Sequence, residues 1–259
     1  MKASRPTTRL LVATVGALSL FGAACSDDDT TTTTAAPTTE AAGDPTTTVA
    51  DVETTMAETT VPATDPMVMY EGDLVGLFSI DAGACADGAV TGSYFQMVMP
   101  GGTAEAGPFI GNADSACADT NYSLLAAGAD GGLMTGAAQA APDPAFDATG
   151  NGLADSIVAP VTFFAVAFAA ATDPNEAMPM VSAADGVLTG DLSAFTAYYG
   201  TGIFNQGAPK PDGSGAAPTG TIDPETGVYT LEWTSLIVGG SFDGFTGVWH
   251  LEGTFAPNG

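Results

Sequence analysis

Positive charge is what this chain most lacks. Only four Lys and Arg residues stand against 30 Asp and Glu in 259 residues. Lys2, Arg5 and Arg9 fall near the start, which leaves Lys210 as the one base after Cys25. All the acids lie beyond Cys25, so from there on the chain sets 30 negative side chains against one positive, a formal charge of −29. Such a surface repels phosphate backbones and anionic head groups, and this excludes nucleic acid as a partner. Histidine is nearly missing too: His250 is the only one, so an imidazole triad or metal site would have to be built on it. No Gly-x-Ser-x-Gly nucleophile elbow occurs beyond Cys25, and the near miss Asp212-Gly213-Ser214-Gly215 reads as a loop. Cysteine is scarce at three residues, none in Cys-x-x-Cys spacing, which argues against a reactive dithiol.

The few bases that exist are informative by position. Lys2, Arg5 and Arg9 precede an apolar run of 15 residues at 10–24, short for a membrane span and flanked like a secretory signal. The run ends Phe21-Gly22-Ala23-Ala24-Cys25, which resembles the lipobox of bacterial lipoproteins, with Gly22 where that family usually has Leu. The resemblance implies cleavage before Cys25, lipid on Cys25 and an extracytoplasmic protein anchored to the cell membrane. Ordinary signal cleavage, satisfied by Gly22 and Ala24, would cut the same bond. Residues 26–66 are mainly Thr, Ala, Pro, Asp and Glu without aromatics or apolar periodicity, so they are expected to form a disordered tether reaching roughly 35 to 40 Å as a flexible coil. Three segments follow: signal peptide 1–24, lipidated tether 25–66 and a folded domain 67–259.

Within 67–259, Gly, aromatic and β-branched residues come in short runs punctuated by Gly, Asp, Asn and Pro, the pattern of many short antiparallel strands. Tyr229, Leu231, Trp233 and Ile237 share one face of a predicted strand, with Thr230, Glu232 and Thr234 on the other. Phe245, Trp249, Leu251 and Phe255 repeat the pattern after the turn residues Gly239 to Gly244, and Asp223-Pro224-Glu225-Thr226-Gly227 joins an earlier strand to make a three-stranded meander. Further strands are expected at 74–80, 89–99, 157–168, 186–192 and 195–204. Pro160 should interrupt the third, and the last two read as one bent strand. Residues 164–171 suit a short Ala-rich helix or a buried strand, with strand preferred. The fold class is all-β, an antiparallel sandwich or jelly-roll-like domain. In general character it is similar to exported β-domain proteins of high-GC bacteria, a likeness that carries no activity with it.

Four constellations could carry chemistry. Cys85 and Cys117, one pair in an oxidising compartment, are expected to form a structural disulfide. The run Asp147-Ala148-Thr149-Gly150-Asn151-Gly152-Leu153-Ala154-Asp155 resembles the calcium loops of dockerin-like and thrombospondin type 3 segments, which implies Asp147, Thr149, Asn151 and Asp155 as oxygen ligands for Ca²⁺. A polar loop closed by Asx turns is the metal-free alternative. The pairs Met67/Met69, Met97/Met99 and Met178/Met180 would each place two thioethers on one face of an extended strand, as Cu(I) requires, although Met also fills β cores. Around the lone base, Tyr198, Tyr199, Phe204 and Lys210 form a candidate recognition loop for a cell-wall, sugar or protein ligand, and an aromatic-lined cleft would be its sign.

His250 belongs to the polar face of its strand, where Glu232 is expected opposite as a cross-strand pair. The leading expectation is a tethered, non-catalytic binding or structural module, calcium-stabilised if the Asp147 loop holds an ion. A copper-handling lipoprotein and a carboxylate-based hydrolase are the alternatives, with no particular acid pair singled out for the latter.

Overall fold

The alternating C-terminal residues form the centre of an all-β domain. The computed structural model describes residues 70–258, and the signal segment, Cys25, the tether, Met67 and Met69 lie outside the described residues. In chain order the strands are β1 Gly72–Leu74, β2 Gly76–Ser79, β3 Ala84–Ala86, β4 Ala89–Thr91, β5 Tyr94–Thr103, β6 Gly107–Phe109, β7 Ser123–Leu124, β8 Gly132–Met134 and β9 Val158–Phe163. They continue as β10 Val166–Thr172, β11 Met180–Ala184, β12 Val187–Asp191, β13 Phe195–Tyr199, β14 Gly202–Asn205, β15 Ala216–Ile222, β16 Val228–Leu236 and β17 Thr246–Pro257. Among the described residues there is no α-helix, and all pairings between these strands are antiparallel.

The principal sheet runs β1-β11-β12-β15-β16-β17-β2-β8. Its β15–β16–β17 meander is the one expected from the alternation, and Asp223 closes the first turn by accepting the amides of Glu225 and Thr226. β17 spans 12 residues and, besides β16, serves two neighbours, β5 along 246–250 and β2 along 255–257. β1 and β2 are separated only by Val75 yet stand far apart in the strand order. The sheet therefore curls until the chain itself joins its two sides, as twisted antiparallel sheets can.

A second sheet, β14-β13-β10-β9, packs over the first. Its Phe195 sets its ring edge-on to Trp233 and Trp249, with centroids 5.1 and 4.8 Å away, while the two indoles stack at 6.0 Å. Trp233 Nε1 donates to the Gln206 carbonyl at 2.8 Å and Trp249 Nε1 to Gln206 Oε1 at 3.3 Å, so both rings are buried without orphaning a donor.

Two local expectations are corrected. Pro160 lies inside β9 and does not break it, because β9 is the last strand of its sheet, bridged on its outer side only around Val158, and its register with β10 shifts beside Pro160. The break in 157–168 falls instead at Phe164 (φ 49°) and Ala165 (φ 63°), a two-residue turn between paired Phe163 and Val166. Such turns need positive φ, which costs a bulky residue roughly 1–2 kcal/mol and Gly or Asn far less. Nor do 186–192 and 195–204 form one bent strand: β12 belongs to the principal sheet, while β13 and β14 form a hairpin of the second. The Ala-rich stretch expected as strand is strand from Val166 onward, in β10, with Ala169, Ala170 and Ala171 buried between neighbours on both sides.

Between β6 and β9 regular structure is sparse, and polar side chains replace strand ladders. Gln139 accepts the Met134 amide at 2.7 Å and donates to the Gly132 carbonyl at 2.7 Å, standing in for a neighbouring strand along β8. Asn112 donates to Ser123 Oγ and the Thr162 carbonyl, both at 2.9 Å, and Thr135 Oγ accepts from the Gly76 amide at 3.0 Å. No buried side-chain polar atom among the described residues lacks a partner. Cys85, on β3, is bridged to the buried Cys117 with Cα atoms 5.5 Å apart, the expected pairing.

Candidate binding site

Alternation along β13 divides the predicted recognition loop. Adjacent Tyr198 and Tyr199 must point to opposite faces of a strand. Tyr198 turns into a small satellite cluster with Phe146, Ala154 and Ala171. Tyr199 faces the other way, into the space between the sheets, where Phe204 from β14 joins it. Lys210 goes elsewhere again, beside an open groove of about 440 Å³ bounded by Glu176, Asp191, Ser193, Asn205 and two prolines. The four residues grouped by sequence proximity thus serve three places, and two of them meet in an aromatic cleft.

That cleft sits where the two sheets part. Phe95 and Met97 of β5 and Trp249 of β17 form its floor from the principal sheet; Phe163, Phe168 and Ala197 form the facing wall. Phe242, carried by the 3-10 turn Gly240–Phe242 between β16 and β17, roofs it within 5.6 Å of Phe163 and 6.0 Å of Tyr199. The cavity measures about 50 Å³, well short of the roughly 150 Å³ that admits a benzene ring. It has room for the end of a branched aliphatic group. Its polar groups are already engaged: Tyr199 Oη donates to the Phe163 carbonyl at 2.9 Å, and Gln206 Oε1 accepts from Trp249. Such a lining suits an apolar group and offers a sugar no free hydrogen-bonding partner. Burial and the nearby Asp114 carboxylate raise the Tyr199 pKa above its ordinary value, so the hydroxyl stays neutral.

Lys210 is held as a clamp. Its Nζ donates to the Asn205 carbonyl at 2.8 Å and to Asn205 Oδ1 at 3.0 Å. Burial lowers its pKa, opposed by the nearby carboxylates of Asp212 and Glu176. Because β14 is an edge strand of the second sheet, this amine covers a carbonyl on an edge that would otherwise invite pairing.

The Asp147 loop closes on itself. Asp147 Oδ1 accepts from the Thr149 amide and hydroxyl, each at 2.8 Å, and from the Asn151 amide at 2.9 Å; Oδ2 accepts from Asn151 Nδ2 at 2.8 Å. Asn151 Oδ1 is turned away to accept the Ala167 amide. Asp155 takes no part in this network, and its backbone carbonyl accepts from Ala129. The side-chain hydrogen bonds from Asn151 and Thr149 lower the Asp147 pKa to about 2. Among the described residues no group of three or more His, Cys, Asp or Glu side chains could hold a metal ion. The arrangement is the Asx-turn network that Asp, Thr and Asn form without an ion.

The two methionine pairs within the described residues lie on separate parts of the domain. Met97 is buried in the cleft while Met99 is 40% exposed, and Met178 and Met180 lie on the surface at β11, which pairs with β1 and β12 and not with β5.

Glu232 stands opposite His250 in the β16–β17 register, as expected. His250 Nδ1 lies 2.5 Å from Glu232 Oε1, and Nε2 lies 2.9 Å from Glu252 Oε1. Tyr94 of β5 stacks on the imidazole, with centroids 4.5 Å apart and planes within 9°. Burial pushes the His250 pKa down, but the two carboxylates outweigh it and the net shift is upward. The hydrogen bond to His250 in turn lowers the Glu232 pKa. Burial, with the charges of Glu232 and Glu252 nearby, raises the Tyr94 pKa to about 12. Glu252 was legible at two residues from His250 on the same strand face; Tyr94 was not, since only the pairing of β5 with β17 brings it there. These groups occupy a sheet face, held by one another and by Gly92, whose amide donates to Glu252 Oε2 at 3.1 Å.

Compared with known protein families, curated proteins and solved structures, the chain matches none of them.

Proposed function

We propose that this chain is an extracytoplasmic lipoprotein, anchored to the cell membrane through lipid on Cys25, whose β domain is a non-catalytic binding module. The observation that carries the binding reading is the aromatic cleft between the sheets, a preformed apolar hollow whose polar groups are already satisfied. A cavity of about 50 Å³ accepts one apolar group as an anchor and leaves the rest of the ligand outside, as interface hot spots do. The address rests on the basic start, the apolar run and the small residues before Cys25.

Titration with isobutanol, followed at the indole N–H of Trp249 by NMR, tests the cleft. A saturable shift is expected, and it should vanish in Ala197→Leu, whose longer side chain fills the cavity. A shift that rises linearly without saturating, or one that survives the filling, would sink the binding reading. The anchor has its own test: Cys25→Ala should move the protein from the membrane fraction to the medium, and retention at the membrane would exclude lipid on Cys25.

A further inference from the structure

The cleft has a rim, and the rim is built differently from the floor. Phe164 stands at the β9–β10 turn, 42% exposed and at φ 49°. A bulky residue held at positive φ is uncommon, and such strain tends to persist where it presents a side chain for use. Its ring lies 5.8 Å from that of Phe242, so the apolar surface runs from the cavity roof out to solvent. Two acids flank it. Asp114 accepts the Ala165 amide at 2.7 Å, directly beside Phe164, and Asp243 follows Phe242 and accepts the Gly239 amide at 2.6 Å. Both acids are exposed, so each carboxylate remains open to water on its outer side. No base answers them: Lys210, the only one among the described residues, is folded onto Asn205.

Resting on the binding reading above, we infer that the cleft and its rim form a docking surface for a cationic segment of another protein, one Leu-sized side chain entering the cavity and flanking Lys or Arg residues meeting Asp114 and Asp243. Cavity size selects the anchor and charge selects its surroundings. With a formal charge of −29 from Cys25 onward, a cationic segment is drawn in while an anionic one is repelled. The same charge disfavours the other occupant an exposed aromatic rim suggests, an anionic lipid surface.

The test uses the full chain and defined probes: a short synthetic peptide with one Leu flanked by Lys, the same peptide with Glu for Lys, the Lys peptide with Gly for Leu, and phosphatidylglycerol vesicles. The Lys–Leu peptide should bind and shift the Trp249 signal, and its affinity should fall about tenfold in the D114N/D243N double variant and with raised salt. The Glu and Gly peptides should bind far more weakly. A thermal melt shows whether the double variant keeps its fold, and F164A, altered at an exposed turn, provides a second variant expected to weaken the same peptide. Equal binding of the Lys and Glu peptides, or vesicle binding without peptide binding, would overturn the docking inference. If the peptides fail while isobutanol still saturates the cavity, the inference falls and the binding reading stands; if isobutanol fails too, both fall.

Discussion

The β15–β17 meander and the irregular stretch between β6 and β9 solve the same problem in opposite ways. In the meander, Tyr229, Leu231, Trp233, Trp249, Leu251 and Phe255 are almost wholly buried, and every second residue contributes to the core. Between β6 and β9 the chain is rich in Gly, Ala and Asp and buries few large side chains. There Asn112, Ser123, Thr135 and Gln139 are buried instead, each hydrogen-bonded, and a disulfide fixes the N-terminal part of the stretch to β3. The difference shows that a segment without apolar periodicity can still be ordered when its polar groups take over the bonds a strand ladder would have made. Such order is brittle, because an unpaired buried group costs more than the bond was worth.

The sharpest way to break the meander is Trp249→Ala. It removes the ring shared by the stacked indole pair, Phe195 and the cleft floor, and should cost about 3–5 kcal/mol in denaturant unfolding; a loss below about 1 kcal/mol would show that the sheets do not depend on this contact. Next is the irregular stretch. Reducing the disulfide, or Cys85→Ser with Cys117→Ser, releases a loop with sequence separation 32 and should cost about 3–4 kcal/mol, chiefly through the unfolded state.

Gln139→Leu keeps the volume but orphans the Met134 amide and the Gly132 carbonyl. It should cost about 2–3 kcal/mol and speed hydrogen exchange along β8 before other strands; uniform exchange would mean that Gln139 is not a local stay.

The smallest effect belongs to His250, whose pair decorates the meander's outer face. A folded pKa above 6.5 means that its contribution is fully present below the unfolded value and lost as pH rises through the folded one. The lowered Glu232 pKa works in reverse, its contribution being lost as pH falls below the ordinary carboxylate range. The melting temperature should therefore decline gently as pH rises above the ordinary imidazole pKa, and His250→Gln should flatten that decline. An unchanged slope in the variant would remove His250 from the pH dependence.

Legibility followed the same division. The meander, its Asp223 turn and the Glu232–His250 pair were readable because a period of two residues is local and the turn chemistry is specific. The cleft is half readable: sequence proximity points to Tyr199 and Phe204 but equally to Tyr198, which strand alternation sends to the opposite face. Phe95, Phe163, Phe242 and Trp249 lie on four separate stretches of chain, and no spacing rule joins them. The Asp147 loop shows the opposite limit, since oxygens at alternating positions suit an Asx network as well as an ion, and alternation by itself does not separate the two.

By itself, then, the sequence determined the all-β class, the charge, the cysteine pair and the inward residues of the C-terminal strands, because these follow from composition and local period. Tertiary structure alone decided that β12 and β13 part into different sheets, that β17 serves both β5 and β2, and that rings from five stretches of chain enclose one cavity. Those outcomes depend on which strand edges meet across long sequence separations, a choice governed by the summed packing of the whole core and carried by no single segment.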